Sequence, residues 1–404
     1  MSEAIVTEER ELPLHMRRTT FDPVPDLLEL RDGPGITRVR TAFADEVWLV
    51  TRYADVREIL ADPQRFSNAR VSEKRAFPGT AEMTEEELAQ ARAGNLLGQD
   101  PPEHTRLRRM LTPEFTVRRM RTLEPRIREI VDEHLDAMEK KGPPADLVAD
   151  FALPVPSLVI SELLGVPYSD RAEFQERSNR LLDLSVPMKE RARLSRESRS
   201  YMATLVAKAQ AEPGEDMLGM LVREHGEDLT TDELIGIASL LLIAGHETTA
   251  NMLGLGTLAL LRHPDQLALV RDDPKAVEPA VEELLRWLSI VHSGTAKLTT
   301  TDVEIAGQHI PAGELVMLSL PAANRDPALL SRPDELDVTR GTMGHMAFGH
   351  GIHHCLGAPL ARMEMRIAFP ALLQRFPTLR VGEAAPGFRS FNVIYGLTSL
   401  EVEW

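Results

Sequence analysis

One cysteine in 404 residues leaves no partner for an internal disulfide, and excludes zinc or iron–sulfur sites built on several thiolates. Long apolar runs are missing too. The longest, Leu234 to Gly245, is too short for a bilayer and contains Ser239, so no membrane span is expected. The opening Met1-Ser2-Glu3-Ala4-Ile5-Val6-Thr7-Glu8-Glu9-Arg10 has no apolar core and does not read as a secretory signal. With the cysteine usage, this predicts a cytoplasmic protein. Positive charge is in deficit: 46 Lys and Arg stand against 62 Asp and Glu, a formal charge of −16. Nucleic acid is therefore not an expected partner. No repeat, low-complexity tract or linker between two cores is visible. A single domain over residues 1–404 is expected, with about 1–20 as an N-terminal tail.

What is present is concentrated around that one cysteine, in Ala347-Phe348-Gly349-His350-Gly351-Ile352-His353-His354-Cys355-Leu356-Gly357. A lone thiol can be one ligand, one nucleophile or a small buried hydrophobe. Gly349, Gly351 and Gly357 allow tight turns and close approach to a flat partner. The following Ala358-Pro359-Leu360-Ala361-Arg362-Met363-Glu364-Met365-Arg366 predicts a helix with Pro in its first turn. A thiolate there would gain from the helix dipole and from the N–H groups of Leu356, Gly357 and Ala358.

The second concentration is a long helix. Thr230-Thr231-Asp232-Glu233 reads as a capping box, and helical periodicity persists to Arg262 before His263-Pro264. This is about 32 residues, or about 48 Å. Its flanks are apolar nearly all round, which predicts burial, yet its centre reads Ala244-Gly245-His246-Glu247-Thr248-Thr249-Ala250-Asn251. Unpartnered, each buried polar group would cost roughly 2–7 kcal/mol. The patch is either a structural polar layer or the lining of a cavity where protons move. Gly245 would leave room for a ligand, and Thr248 could bend the helix by bonding back to a carbonyl.

Elsewhere the pattern predicts strands at 37–40 and 46–50, a helix over 53–61 and a long loop with a short helix at 66–99, broken at Pro78-Gly79. Mostly helical periodicity runs from Pro102 to about Ile310, with short β runs between Val303 and Leu318. The tail from Phe391 to Trp404 alternates and turns at Gly396, as a terminal hairpin would. The expected class is mainly α with a small β portion.

Phe348, Gly351, Cys355 and Gly357 satisfy Phe-x-x-Gly-x-x-x-Cys-x-Gly, which resembles the haem-binding loop of the cytochrome P450 family. Ala244-Gly245-His246-Glu247-Thr248 resembles the same family's oxygen-activating groove. The resemblance covers the chain from about residue 20 to its end and is closest to soluble actinobacterial, ferredoxin-dependent members. It implies a triangular helical prism with a small β-rich portion and haem b (iron protoporphyrin IX) between the long distal helix and the Cys loop. Cys355 would be the axial thiolate and metal ligand, a donor that favours O–O cleavage. Phe348 would shield the sulfur, and Ala244, Gly245, Phe348, Gly349 and Gly357 would be among the residues binding the cofactor. Thr248 would hydrogen-bond dioxygen, and Glu247 would relay solvent protons to its distal oxygen.

The same resemblance makes Glu283 and Arg286 a buried ion pair bracing the haem loop. Its third member would be Arg340, Arg325 or Arg332, since Pro333-Asp334-Glu335-Leu336 departs from the usual pattern. His104, Arg108, Lys297 and His353 would meet the haem propionates, with Lys297 supplying charge without a guanidinium fork. His350 and His354 read as structural, and His345, His350, His354 and Cys355 have no recognised zinc spacing. A hydrophobic pocket would be walled by Leu97, Leu182, Leu240, Ala244, Ile290, Val291, Val393 and Ile394. The eight arginines between Arg106 and Arg128 are either a solvated face with local ion pairs or a basic docking patch for an acidic ferredoxin, itself fed by a ferredoxin reductase. The implied activity is insertion of one oxygen atom from O2 into a hydrophobic small molecule: a secondary metabolite, macrolide, terpenoid or steroid-like compound, or xenobiotic. Electrons would come from NAD(P)H through ferredoxin, and the enzyme is expected as a monomer. A peroxide-driven peroxygenase and a non-catalytic haem or ligand-binding protein are the competing readings.

Overall fold

The computed structural model describes residues 12–41, 46–74, 84–341, 344–389 and 391–404. Most of the expected tail and the Pro78-Gly79 break lie outside them. At the centre is the helix Thr231–Arg262, 32 residues long, opened by a complete capping box between Thr230 and Glu233. It ends where Pro264 begins the next helix. It packs on Pro154–Leu164, Met188–Ala211 and Ala358–Arg375, so it is enclosed by other helices along most of its length. Nineteen of its residues are buried, and they include His246, Glu247, Thr249 and Asn251. Helices on both sides explain why its apolar flanks carry no single polar stripe.

The β portion is small. One sheet has the order Ile36–Val39, Val47–Val50, Leu315–Leu318, Ala296–Thr299, Phe66–Ser67. Among the described residues its only parallel pair is Val47–Val50 with Leu315–Leu318. Strand Ala296–Thr299 falls inside the stretch expected to be helical, whose helical part ends at Leu288. The helix Tyr53–Ala61 forms as its pattern predicts. The region 66–99 holds the capped helix Glu85–Arg92 and the short turn Leu96–Gly98.

The terminal hairpin is not formed. Leu397–Ser399 pairs with Gly387–Phe388, and Glu401–Glu403 lies between Ala145–Asp146 and Arg380–Val381. Residues 391–395 instead thread between two interior segments: Leu184 N–H donates to Phe391 O at 2.8 Å, Val393 N–H to Leu182 O at 3.1 Å, and Tyr395 N–H to Ile290 O at 2.8 Å. Gly396 is not a hairpin turn. A Cβ there would fall 1.8 Å from Asn251 Oδ1, so the glycine lets the chain cross the long helix at contact distance.

His292 ties this thread down by donating from Nε2 to Asn392 O at 2.8 Å. Burial pushes its pKa down to about 3, Arg18 acts in the same direction, and the bond to Asn392 opposes them. An unfolded chain binds a proton here near 6.5 while the fold keeps the ring neutral, so stability is lost as pH falls from about 6.5 toward 3. Denaturant unfolding at stepped pH should therefore show a slope shallower by close to one proton in His292→Gln. An unchanged slope would contradict the assignment.

Candidate active site

The Cys355 loop is shaped by backbone first. Gly349 and Gly351 have φ of +72° and +69°, a region closed to most side chains. At Gly351 a Cβ would also lie 2.3 Å from Leu60 O, at the end of Tyr53–Ala61. Cys355 N–H donates to Phe348 O at 2.8 Å and closes the loop. Gly357 then caps the helix Ala358–Arg375, with Pro359 in its first turn. The Cys355 side chain is accessible, yet protein crowds it enough for desolvation to push the thiol upward. The N–H groups of Gly357 and Ala358, with Arg108 and Arg362, pull the other way. Two of the three expected N–H donors thus act on the sulfur. Around Gly357 a Cβ would meet nothing within 4 Å, leaving that face open to a flat group.

Four side chains expected to meet propionates are brought together beside this loop. The His104 and His353 rings meet at a tilt of 58° with centroids 4.3 Å apart, and all four of their ring nitrogens are buried without a partner among the described residues. Arg108 donates to His354 O at 2.7 Å. Burial, then the charges of Lys297, His104 and Arg108, pushes the His353 pKa down to about 3. Burial likewise pushes Lys297 down to about 8, opposed by Asp100. Asp100 is itself taken up by Ser67 Oγ and by the N–H of Asn68 at 2.8 Å. Such a cluster, with the cations Arg108 and Lys297 and four orphaned imidazole nitrogens beside an accessible thiol, fits an anionic planar group with a thiolate-binding metal. Haem b meets that description.

On the long helix, Ala244 is exposed and Leu240, Gly245 and Thr248 are half-buried, whereas His246, Glu247 and Thr249 are enclosed. Thr248 Oγ1 donates to Ala244 O at 2.8 Å, which uses its proton and leaves its lone pairs free to accept. Gly245 serves a different purpose from the one expected. A Cβ there would lie 2.8 Å from Ile160 Cγ1, so the missing side chain admits the helix Pro154–Leu164 rather than a ligand. Glu247 is enclosed. Its Oε2 accepts from Arg389 Nη1 at 2.9 Å, and its Oε1 lies 3.3 Å from His246 Nε2 without hydrogen-bond alignment. Burial raises its pKa, but His246 and Arg389 outweigh that and the net shift is downward. Arg389 also donates to Asn179 Oδ1 at 2.9 Å. A carboxylate in an apolar helix demands a cation from somewhere; nothing in the local sequence around Arg389 marks it as that cation.

The brace is resolved. Arg286 binds Glu283 through two 2.7 Å bonds, and both side chains are fully enclosed. Its other donors reach Asn324 O at 2.9 Å and Pro333 O at 2.8 Å. Arg340 is the third member, with Nε 3.7 Å from Glu283 Oε1. Arg325 pairs with Asp22 and Arg332 with Glu335. Of the expected pocket wall, Leu182 and Val393 meet through their backbones, as do Val291 and Ile394. With Leu240 these residues pack on the main core cluster. Ile290 and Ile394 are buried in it, whereas Leu97 is 54% exposed.

The family profile described as Cytochrome P450 matches residues 39–188 and 188–382. Cytochrome P450 FAS1 of Rhodococcoides fascians is 52% identical, covering 98% of this chain and 99% of its own. The solved structure of P450 StaH from glycopeptide antibiotic biosynthesis superposes with a TM-score of 0.86 at 45% identity, over 98% of this chain and 100% of its own. That of CYP105P1 in complex with filipin I gives 0.89 at 40% identity, over 96% and 98%.

Arg389→Met would strand the Glu247 carboxylate. Removing one partner of a buried pair costs about 3 kcal/mol or more, read as a lower midpoint of denaturant unfolding. Most of the loss should return in the double variant Arg389→Met/Glu247→Gln. Strictly additive losses would show that the two groups are not coupled.

Proposed function

As the chain belongs to the cytochrome P450 family of monooxygenases, we propose that it binds haem b through the Cys355 thiolate and hydroxylates or epoxidises a hydrophobic small molecule of secondary metabolism. The accessible Cys355, held at a helix N-terminus under the N–H groups of Gly357 and Ala358, carries this reading. Arg108, Lys297, His104 and His353 would hold the propionates. Bound there, haem would supply the centre at which dioxygen is reduced and one oxygen atom is passed to substrate.

The protein's own contribution is proton control and shielding. Thr248, its hydroxyl hydrogen committed to Ala244 O, would present oxygen lone pairs to the reacting group and hold a proton-bearing partner at that point. Glu247, buried and anionic beside Arg389, would take a proton from solvent and pass it inward when its carboxylate turns from the guanidinium. The aliphatic wall of Leu182, Leu240, Val291 and Val393 would exclude water and receive an apolar substrate. StaH functions in antibiotic biosynthesis and CYP105P1 binds filipin I, which favours a substrate of comparable bulk.

Electrons would arrive from NAD(P)H through a reductase and an acidic ferredoxin. Half of the arginines between 106 and 128 serve local ion pairs: Arg106, Arg119, Arg126 and Arg128 all face Glu residues. Arg109, Arg118 and Arg121 are exposed and have no acidic partner among the described residues. With Val117, 64% exposed between them, they form a basic, apolar-centred face suited to an acidic partner.

Reconstitution with a ferredoxin, its reductase and NAD(P)H, using a compound that shifts the Soret band on binding, tests the reading. Thr248→Ala should consume reductant at a comparable rate while product per NAD(P)H falls several-fold. Undiminished coupling would remove Thr248 from proton control, and retained product formation with peroxide alone would favour the peroxygenase.

A further inference from the structure

Glu282, next to the braced Glu283, is buried on the helix Val277–Leu288 and has no part in the ion pair already described. Its Oε1 accepts from Arg362 Nε at 2.6 Å and its Oε2 from Arg362 Nη2 at 2.8 Å, a two-point fork. His345 joins at 3.1 Å. Because His345 Nδ1 accepts the Ala347 N–H at 3.2 Å, its Nε2 must carry the hydrogen and donate to Glu282. Burial favours the neutral acid, but the bonds from Arg362 and His345 outweigh it and hold the carboxyl at about 2. Arg366 stands 4.0 Å off and is paired with Glu278.

The same guanidinium of Arg362 makes a second contact, with the Cys355 loop. Its carbon sits 4.6 Å above the Phe348 ring, within cation–π range, while His345 and His354 flank the same ring at 6.3 Å. Phe348 shares the loop with Cys355 and accepts its N–H. Arg362 also stands near the start of the helix Ala358–Arg375, which opens three residues past Cys355, so its charge is carried close to the sulfur. A flexible arginine near the surface could serve neither purpose unless its position were fixed.

We propose that Glu282 is a positioning residue: it fixes Arg362 over Phe348 and partly offsets its charge, and so sets the electrostatic field at the Cys355 sulfur. This rests on reading Cys355 as the axial haem ligand. A positive charge beside the sulfur favours the reduced, more negative state, and a negative charge opposes it.

The test is the reduction potential of the haem-loaded protein, measured by spectroelectrochemical titration. Glu282→Gln removes a negative charge and should move the potential positive. Arg362→Gln removes a positive one and should move it negative, while Arg362→Lys, which keeps charge without the fork, should move it less. Loss of packing alone would drive Glu282→Gln and Arg362→Gln in one direction, and that result, or no movement in either, overturns the proposal. Should Arg362→Gln fail to retain haem, Glu282→Asp decides: a return to the wild-type potential supports the field effect, and a shift equal to that of Glu282→Gln refutes it. A wild-type protein without thiolate ligation would instead sink the assignment of Cys355, an outcome distinct from these.

Discussion

Keeping a thiol anionic inside a protein requires N–H donors and positive charge, because burial by itself pushes the proton back on. Much of the architecture around residues 345–375 answers that requirement. Two glycines at positive φ turn the chain, Gly357 places the sulfur at the start of an 18-residue helix, and Arg108 and Arg362 approach from different helices. The enclosed Glu283–Arg286 pair, with Arg340, reaches from the helix Val277–Leu288 into the segment 324–335. Asn324 carries the connection onward, since its Oδ1 accepts the Met346 N–H at 2.7 Å, at the threshold of the Cys loop.

Opposite demands shape the long helix. Its apolar flanks hold it among its neighbours, and its polar centre would be prohibitively costly if left unpartnered. Arg389 from the C-terminal segment bonds Glu247 Oε2, and His246 from the helix itself lies beside Oε1. Asn251 Nδ2 bonds Glu247 O at 2.7 Å, and Gly396 gives Asn251 its room. The C-terminal segment is thus an integral part of the site, which accounts for its irregular course across the interior in place of a free hairpin.

These two regions differ in how readable they are. Local physics wrote the capping box at Thr230, the Pro–Gly punctuation around Cys355 and the helix that follows, and each is legible from adjacent residues. The cluster of His104, Arg108, Lys297 and His353 was accessible only through family resemblance, because its members come from three separate elements. Arg389 and the Glu282–Arg362 fork were not legible, and Arg340 was legible only as one of three candidates for the third brace member. Each depends on a pairing across scores of residues, and no local pattern separates a buried arginine from a solvated one. Gly245 illustrates the same limit in reverse. Its sequence context suggests room for a ligand, whereas its contact with Ile160 is a matter of helix packing.

Everything depends on sulfur coordinating iron, and that is open to direct observation. The haem-loaded protein, reduced and exposed to carbon monoxide, should give the strongly red-shifted Soret band of an anionic thiolate ligand, and Cys355→Ala should abolish it. A Soret band at the position typical of a histidine-ligated or neutral-thiol haem, or a spectrum unchanged in Cys355→Ala, would contradict the account.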